Sequence, residues 1–136
     1  MNASQSTNDA YPCAIHMAMF LEHEEFLPHL TQMIDALAKK AKEFAEVIKM
    51  GRTQMQDAVP MTLGQTFSGF AASLRGELRT LNSAAREFLT VNMGATAIGT
   101  GICSKPGYSM ACIKALRETT GWSIHLADNL IEATSA

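Results

Sequence analysis

Residues 12–50 read PCAIHMAMFLEHEEFLPHLTQMIDALAKKAKEFAEVIKM, without a single glycine. Apolar side chains recur there at alternating steps of three and four residues, which places them on one stripe of a helix. The stripe consists of Leu27, Leu30, Ile34, Leu37, Ala41, Phe44 and Ile48. A helix of this length measures roughly 60 Å. Because a chain of 136 residues cannot cover such a helix alone, part of the stripe is expected to face other chains or further sequence.

Two features interrupt the simple helical pattern of this segment. Pro28 removes one ladder hydrogen bond, so we expect either a kink near residues 24–27 or two abutting helices. Three histidines also lie here: His16, His23 and His29. A zinc site needs ligands that converge one turn apart with others, and this spacing does not provide them. The histidines are therefore interpreted as packed or solvated side chains.

The segment after the first helix is polar and has poor helical periodicity. Residues 51–62 read GRTQMQDAVPMT, and the proline favours an extended backbone before it. Gly51 is expected to end the first helix as its C′ residue. The sequence therefore predicts a long extended loop here, and connections of that length are often functional.

A second long helix is predicted to begin at Leu63, because Thr62 and Gln65 stand at the spacing of a capping box. Its apolar stripe consists of Leu63, Phe67, Ala71, Leu74, Leu78, Leu81, Ala85 and Phe88. Small positions where a neighbouring helix could approach are Gly64, Gly69 and Gly76. The expected fold is all-α, dominated by a long antiparallel helix pair.

The remainder of the chain is less regular. Five glycines and prolines predict a loop over residues 93–107. Helical spacing then predicts a helix over residues 108–120 that stops at Gly121. Residues 122–136 give no clear pattern, although Asp128 or Asn129 could begin another helix.

Composition limits the classes of protein to which the chain can belong. It is 47% apolar and 18% charged, which is typical of a globular domain. The formal net charge is -2 and the cationic residues are not clustered, so a nucleic-acid surface is not expected. No apolar run approaches the roughly 18 residues that a membrane helix needs. The odd number of cysteines favours reduced thiols and a cytoplasmic location.

The first polar stretch, residues 4–12, reads SQSTNDAYP and precedes the first helix directly. Pro12 suits the first turn of a helix, so the stretch is interpreted as a loop that turns into a helix start. A helix start presents free N–H groups that favour an anion. Neutral donors beside them are Ser6, Thr7 and Asn8. The functional hypothesis is a site for a small carboxylate or phosphate, whereas the stretch alone favours an ordinary cap by Asn8 or Asp9.

The order of three motifs resembles the aspartase/fumarase superfamily. They are Ser-Gln-Ser-Thr-Asn-Asp-x-x-Pro at residues 4–12, Gly-Arg-Thr-Gln-x-Gln-Asp-Ala-Val-Pro at 51–60, and Val-Asn-Met-Gly-Ala-Thr-Ala-Ile-Gly-Thr-Gly at 91–101. The resemblance implies that residues 1–136 are the first part of a central helical domain. It also implies an internal segment of a longer enzyme, with the N-terminal domain, the signature loop and the C-terminal domain lying elsewhere.

Gln54 favours the aspartases within that superfamily, because fumarases and several relatives carry histidine there. The resemblance then implies elimination of ammonia from L-aspartate to give fumarate through an aci-carboxylate intermediate, without a cofactor. A fumarase remains the alternative. Composition and periodicity alone would favour a third interpretation, a non-enzymatic helical assembly module.

The same resemblance implies which residues bind the dicarboxylate substrate. Ser6 and Thr7 would hold the carboxylate that becomes the dianion, and Asn8 would contact the amino group or its neighbour. Thr53 and Gln54 would contact the other end of the substrate from a second subunit of a homotetramer. The motif that carries the family's base serine and carboxylate-binding lysine is absent from residues 1–136. No catalytic residue or metal ligand is therefore expected among them, and the segment alone is expected to be inactive.

Overall fold

The computed structural model describes residues 4–135, and most of them are helical. In chain order the elements are α1 (Thr7–Glu43), β1 (Ile48–Thr53), β2 (Gln56–Thr62), α2 (Leu63–Ala85), a 3-10 turn (Arg86–Leu89), β3 (Thr90–Val91), α3 (Tyr108–Thr120), β4 (His125–Leu126) and α4 (Glu132–Ser135). The predominance of helix confirms the predicted fold class. None of the helices within the described range is both long enough and apolar enough to cross a membrane.

The chain divides into two compact units. The first unit contains the residues up to His23 and those from Ser83 onward, and the second unit is Glu24–Asn82. Helix α1 begins in the first unit and ends in the second. The beginning of α1 therefore lies in the same unit as the C-terminal part of the chain, and the candidate site is formed from these two segments.

Helix α1 is continuous over 37 residues and crosses Pro28, so the alternative of two abutting helices is wrong. It ends at Glu43 rather than near Met50. The start of α2 holds this end of the helix, because Gly64 donates its backbone N–H to Phe44 O at 2.9 Å. An added Cβ at Gly64 would lie 2.5 Å from Ala41 O, which confirms a close helix approach at that glycine.

The predicted extended loop is instead an antiparallel β-hairpin. Strand β1 pairs with β2 from Ile48 opposite Thr62 to Thr53 opposite Gln56. Ile48 therefore belongs to a strand, although its spacing continued the helical stripe. Gly51 does not end a helix either: it lies at an irregularity in β1, where a Cβ would approach Val59 O to 2.9 Å. Cross-strand backbone pairing overrides the helical periodicity of this segment.

The predicted capping box at the start of α2 is present. Thr62 N donates to Gln65 Oε1 at 2.9 Å, and Gln65 N donates to Thr62 Oγ1 at 3.1 Å. The helix begins at Leu63 as predicted but ends at Ala85, where a 3-10 turn replaces the expected continuation. Within the described chain no neighbour lies within 4 Å of a Cβ added at Gly69, so no helix of this chain approaches closely there.

The first unit is built around a small apolar core. Its buried members are Cys13, Val91, Ile113 and Ile124, surrounded by Met17, Leu89, Met93, Leu116, Trp122 and Leu126. Strands β3 and β4, which the sequence did not predict, pair in parallel beside this core. The core connects the first turns of α1 to α3 and to the segment that follows α3.

The ends of α3 agree with the prediction. Gly121 has φ 75° and donates its N–H to Arg117 O at 2.9 Å, as expected of a helix C-terminus. In the ambiguous segment that follows, Asn129 accepts from Ile131 N and Glu132 N, so it caps α4. Of the two residues proposed to begin a helix there, Asn129 makes the capping bonds.

Candidate functional site at the start of helix α1

Ser6 caps helix α1. Its Oγ accepts from Asn8 N at 3.2 Å, while Ser6 N donates to Asp9 Oδ1 at 2.8 Å, which completes a capping box. The expectation that Asn8 or Asp9 caps the helix is therefore wrong, because the helix begins two or three residues earlier than either cap would allow, at Thr7. Pro12 consequently lies in the second turn rather than the first.

The side chains of Thr7 and Asn8 are exposed, and that of Ser6 is half-buried. An open pocket of about 470 Å³ adjoins Ser6 and Thr7 but not Asn8; it is lined by Gln5, Ser6, Thr7, Ala10, Tyr11 and Ala14. All of its lining residues are uncharged. The N–H groups of Asn8 and Ala10 are already bonded to Ser6 and Asp9, so hydroxyl side chains such as those of Ser6 and Thr7 supply the donors of the pocket. The pocket thus suits a ligand whose negative charge is met by neutral donors.

Asn8 directs its side chain to the glycine-rich loop. Its Nδ2 donates to Ala97 O at 2.7 Å, across 89 positions of sequence. The acceptor fixes which end of the amide is nitrogen, because a carbonyl oxygen can accept only from the Nδ2 side. Lys105 N donates to Ser4 Oγ at 3.1 Å and secures the same loop further along. The loop over residues 93–107 is therefore more than a connector, because it holds the start of α1.

Asn92 supports the backbone of the same helix turn. Its Nδ2 donates to Asn8 O and to Thr134 Oγ1, each at 3.0 Å. In an α-helix Asn8 O would accept from the N–H of residue 12, but Pro12 has none. The side chain of Asn92 supplies the donor that the proline lacks, and it ties α4 to the same point.

Asp9 lies beneath the exposed residues and is fully buried. Its Oδ2 accepts from Thr96 N at 2.9 Å, so the carboxylate joins the helix start to the loop. One turn along α1, burial raises the pKa of the Cys13 thiol to about 11, with the charges of Asp9 and Cys112 adding to that effect. Cys13 is accordingly a protonated core residue at neutral pH.

Thr53 and Gln54 lie at the tip of the β-hairpin in the second unit. Thr53 pairs with Gln56, and the two residues between them, Gln54 and Met55, have φ 49° and 63°. Positive φ at both central residues is the geometry of a type I′ turn. The structure thus groups Ser6, Thr7 and Asn8 in one unit and the two hairpin residues in the other.

His16, one of the three histidines considered as metal ligands, packs inside the first unit. Its Nδ1 lies 3.0 Å from Thr90 O, and its ring lies 5.6 Å from that of Phe88. Across residues 4–135 no group of three or more His, Cys, Asp or Glu side chains is placed to hold a metal ion. The packed interpretation of His16 is therefore confirmed.

Sequence reasoning missed three of the residues that support the exposed ones, namely Asn92, Thr96 and Thr134. It considered the fourth, Asp9, only as a helix cap. One signal was available, since Pro12 stands four residues after Asn8 and must leave that carbonyl without its helical donor. The identity of the replacement donor could not be read from the sequence, because 84 positions separate Asn92 from Asn8.

A family described as Lyase matches residues 1–136, and the chain belongs to that family, the aspartase/fumarase superfamily that its motifs resemble. The aspartate ammonia-lyase of Pseudomonas aeruginosa is 52% identical over 136 residues, which are 99% of this chain and 29% of that protein. The aspartate ammonia-lyase of Helicobacter pylori (strain ATCC 700392 / 26695) is 48% identical, over 100% of this chain and 29% of its own length.

Solved structures agree with this assignment. The crystal structure of fumarate lyase:delta crystallin from Brucella melitensis bound to cobalt matches with a TM-score of 0.91 and 46% identity. The match covers 98% of this chain and 29% of that one. This chain therefore spans less than a third of the length of the proteins it matches.

Proposed function

We propose that the chain is one part of an ammonia-lyase that converts L-aspartate to fumarate and ammonia. The observation that carries the proposal is the start of α1, where Ser6 caps the helix, Ser6 and Thr7 line an uncharged pocket, and the next residue, Asn8, is exposed. The proposal is supported by relatives named aspartate ammonia-lyase at 52% and 48% identity. Because those relatives are much longer, the activity is proposed for the full-length protein that contains this segment.

The chemistry requires a proton to leave the carbon next to a carboxylate. That C–H is weakly acidic, and the carboxylate becomes an aci-carboxylate dianion as the proton departs. Preorganised donors accelerate the step when they stabilise the charge that develops in the transition state. The hydroxyls of Ser6 and Thr7 are donors of this kind. We assign these two residues to that carboxylate.

Asn8 is suited to contact the amino group that leaves the substrate. Its Nδ2 donates to Ala97 O, so its Oδ1 is the acceptor end of the amide. An acceptor at this position recognises an ammonium group, which only donates. The proposal assigns Asn8 to the amino group of L-aspartate. It places the general base outside residues 1–136.

Thr53 and Gln54 are proposed to reach the substrate from a second subunit of a homotetramer. Association is supported by large apolar side chains that α1 leaves exposed: Tyr11, Ile15, Met19, Phe26 and Met33. Exposed apolar surface of this kind marks interaction sites. Contact between subunits would bury these side chains, which favours association.

Subunit complementation tests the shared site. Thr7→Ala and Thr53→Ala variants of the full-length protein are each expected to lose about 100-fold in kcat/KM, and mixed tetramers are expected to recover activity. Recovery follows because some sites then combine an intact Thr7 from one subunit with an intact Thr53 from another. The control mixes a double variant, with Thr7→Ala and Thr53→Ala in the same subunit, with either single variant. No site in these tetramers combines an intact Thr7 with an intact Thr53, so no recovery is expected. Mixed tetramers without recovered activity would show that each site belongs to one subunit.

Substrate choice tests the reaction itself. The full-length protein is expected to release fumarate from L-aspartate and not from L-malate, followed by fumarate absorbance. Thr7→Val should lower kcat/KM for L-aspartate by about 100-fold, as the loss of one preorganised donor does elsewhere. Fumarate release from L-malate alone would assign the protein to the fumarases instead.

A further inference from the structure

The carboxylate of Asp9 is a buried junction between two segments that are distant in sequence. Oδ1 accepts from Ser6 N at 2.8 Å and from Ala10 N at 2.7 Å, and Oδ2 accepts from Thr96 N at 2.9 Å. Its side chain has no exposed surface, so it cannot itself touch a ligand. A buried carboxylate that receives several N–H bonds fixes the backbone groups that donate to it.

The bond to Thr96 controls where Ala97 presents its carbonyl. Thr96 has φ 62°, a left-handed conformation that is unusual for a β-branched residue. Surrounding contacts must hold such a residue in place, and the bond from its N–H to Asp9 is one of them. Ala97 follows directly, and its carbonyl accepts from Asn8 Nδ2. Asp9 therefore influences the amide of Asn8 through Thr96 and Ala97.

Asn92 fixes the backbone of Asn8 in the same way that the loop fixes its side chain. Pro12 leaves Asn8 O without a helical donor, and Asn92 Nδ2 occupies that position at 3.0 Å. The second hydrogen of the same nitrogen goes to Thr134 Oγ1. Both the carbonyl and the side-chain amide of Asn8 are thus held by residues that lie outside the first helix.

We propose that Asp9 is a positioning residue for substrate binding: it holds the loop so that Asn8 presents its amide oxygen to the amino group of the substrate, with Asn92 as the second support. The inference rests on the proposed function, since it takes L-aspartate as the substrate. A displacement of about 1 Å at a binding group can lower the rate by about 100-fold. Asp9 acts through Asn8, and this dependence can be measured.

The test compares Asp9→Asn in two backgrounds of the full-length protein. The new amide places an N–H₂ group opposite at least one of the backbone N–H donors. Two donors cannot bond to each other, so a hydrogen bond between the helix start and the loop is lost. In the wild-type background kcat/KM for L-aspartate is expected to fall by about 100-fold. In an Asn8→Ala background, where the amide is already absent, Asp9→Asn is expected to lower kcat/KM for L-aspartate by less than about threefold. Asp35→Asn, an exposed aspartate on the same helix, is the matched control and should leave kcat/KM unchanged.

An equal loss in both backgrounds would overturn the inference, because Asp9 would then act through Ser6 or through general stability rather than through Asn8. An Asp9→Asn enzyme with wild-type kinetics would also overturn it. If Asp9→Asn does not fold, as judged by circular dichroism, Asn92→Ala decides the question with the same pair of backgrounds. A wild-type protein that releases no fumarate from L-aspartate would instead reject the proposed function, which keeps the two failures distinct.

Discussion

Asn92 donates its side-chain N–H to Asn8 O at 3.0 Å, although 84 positions of sequence separate the two residues. The bond matters because Pro12 cannot donate to that carbonyl, and in this part-buried position an unpaired carbonyl costs free energy. The proline therefore creates a requirement for a donor, and the segment after α2 meets it. The first helix and the glycine-rich loop are joined where the candidate substrate-binding residues stand.

The orientation of the Asn8 amide is expected to be essential. In the full-length protein, Asn8→Asp replaces Nδ2 by an oxygen opposite Ala97 O and adds negative charge beside the proposed carboxylate. Steady-state kinetics should show kcat/KM for L-aspartate at least about 100-fold lower. Asn129→Asp is the matched control, since aspartate caps a helix as well as asparagine does, and it should change little. Equal kinetics in Asn8→Asp and wild type would remove Asn8 from the site.

Gly99 is expected to tolerate no side chain. Its φ is +90°, and a Cβ there would lie 2.4 Å from Ile131 Cα, so Gly99→Ala must displace backbone near α4. We expect a loss of at least about 3 kcal/mol in the free energy of unfolding by urea. Gly107 has a similar φ of +81°, but apart from its two neighbours in sequence none of residues 4–135 has an atom within 4 Å of a Cβ added there. Gly107→Ala should therefore lose only the conformational term of about 1–2 kcal/mol. Equal losses would mean that the contact at Ile131 is not made.

The thiol of Cys13 is expected to make stability depend on pH in the alkaline range. Burial raises its pKa from 9.0 to about 11, so the unfolded chain releases this proton at lower pH than the folded chain. Its contribution to stability is complete below pH 9 and is lost as the pH rises toward 11. Urea unfolding from pH 8 to 11 should show a smaller decline in Cys13→Ala than in wild type. The exposed Cys103 supplies the control, because Cys103→Ala should keep the wild-type profile.

Gln54→His tests whether the hairpin tip contacts the substrate. Glutamine does not titrate, whereas histidine has an ordinary pKa of about 6.5 and becomes a cation below it. If residue 54 contacts a carboxylate, KM for L-aspartate should fall as the pH falls from 9 to 6. Contact with the ammonium group should raise KM over the same range. Indistinguishable pH profiles in the two full-length proteins would place Gln54 outside the substrate's contacts.

Local signals predicted those parts of the fold that depend on neighbours in sequence. The three-residue spacing of Thr62 and Gln65 predicted the capping box, and Gly121 predicted the end of α3. Each of these features depends only on residues within one turn of helix. The β-hairpin was missed because Ile48 continues a helical spacing and nothing nearby reveals its partner, Thr62. Pairing between strands outweighed the local pattern.

In the candidate site too, the sequence predicted only what depends on neighbouring residues. Ser6, Thr7 and Asn8 could be selected from residue type and from their place at the start of a helix. Asp9 was considered only as a cap, whereas its second oxygen binds Thr96 N, which lies 87 positions away. Such supports depend on how the loop returns to the helix, and no periodicity or spacing encodes that return.

The most direct test of the central claim runs the reaction in reverse. The full-length protein is incubated with fumarate and ammonium in water, so that ammonia and water compete for the same double bond, and both products are followed by NMR. The account predicts that L-aspartate forms and that malate does not. Formation of malate without L-aspartate would contradict the assignment of this helix start to an ammonia-lyase.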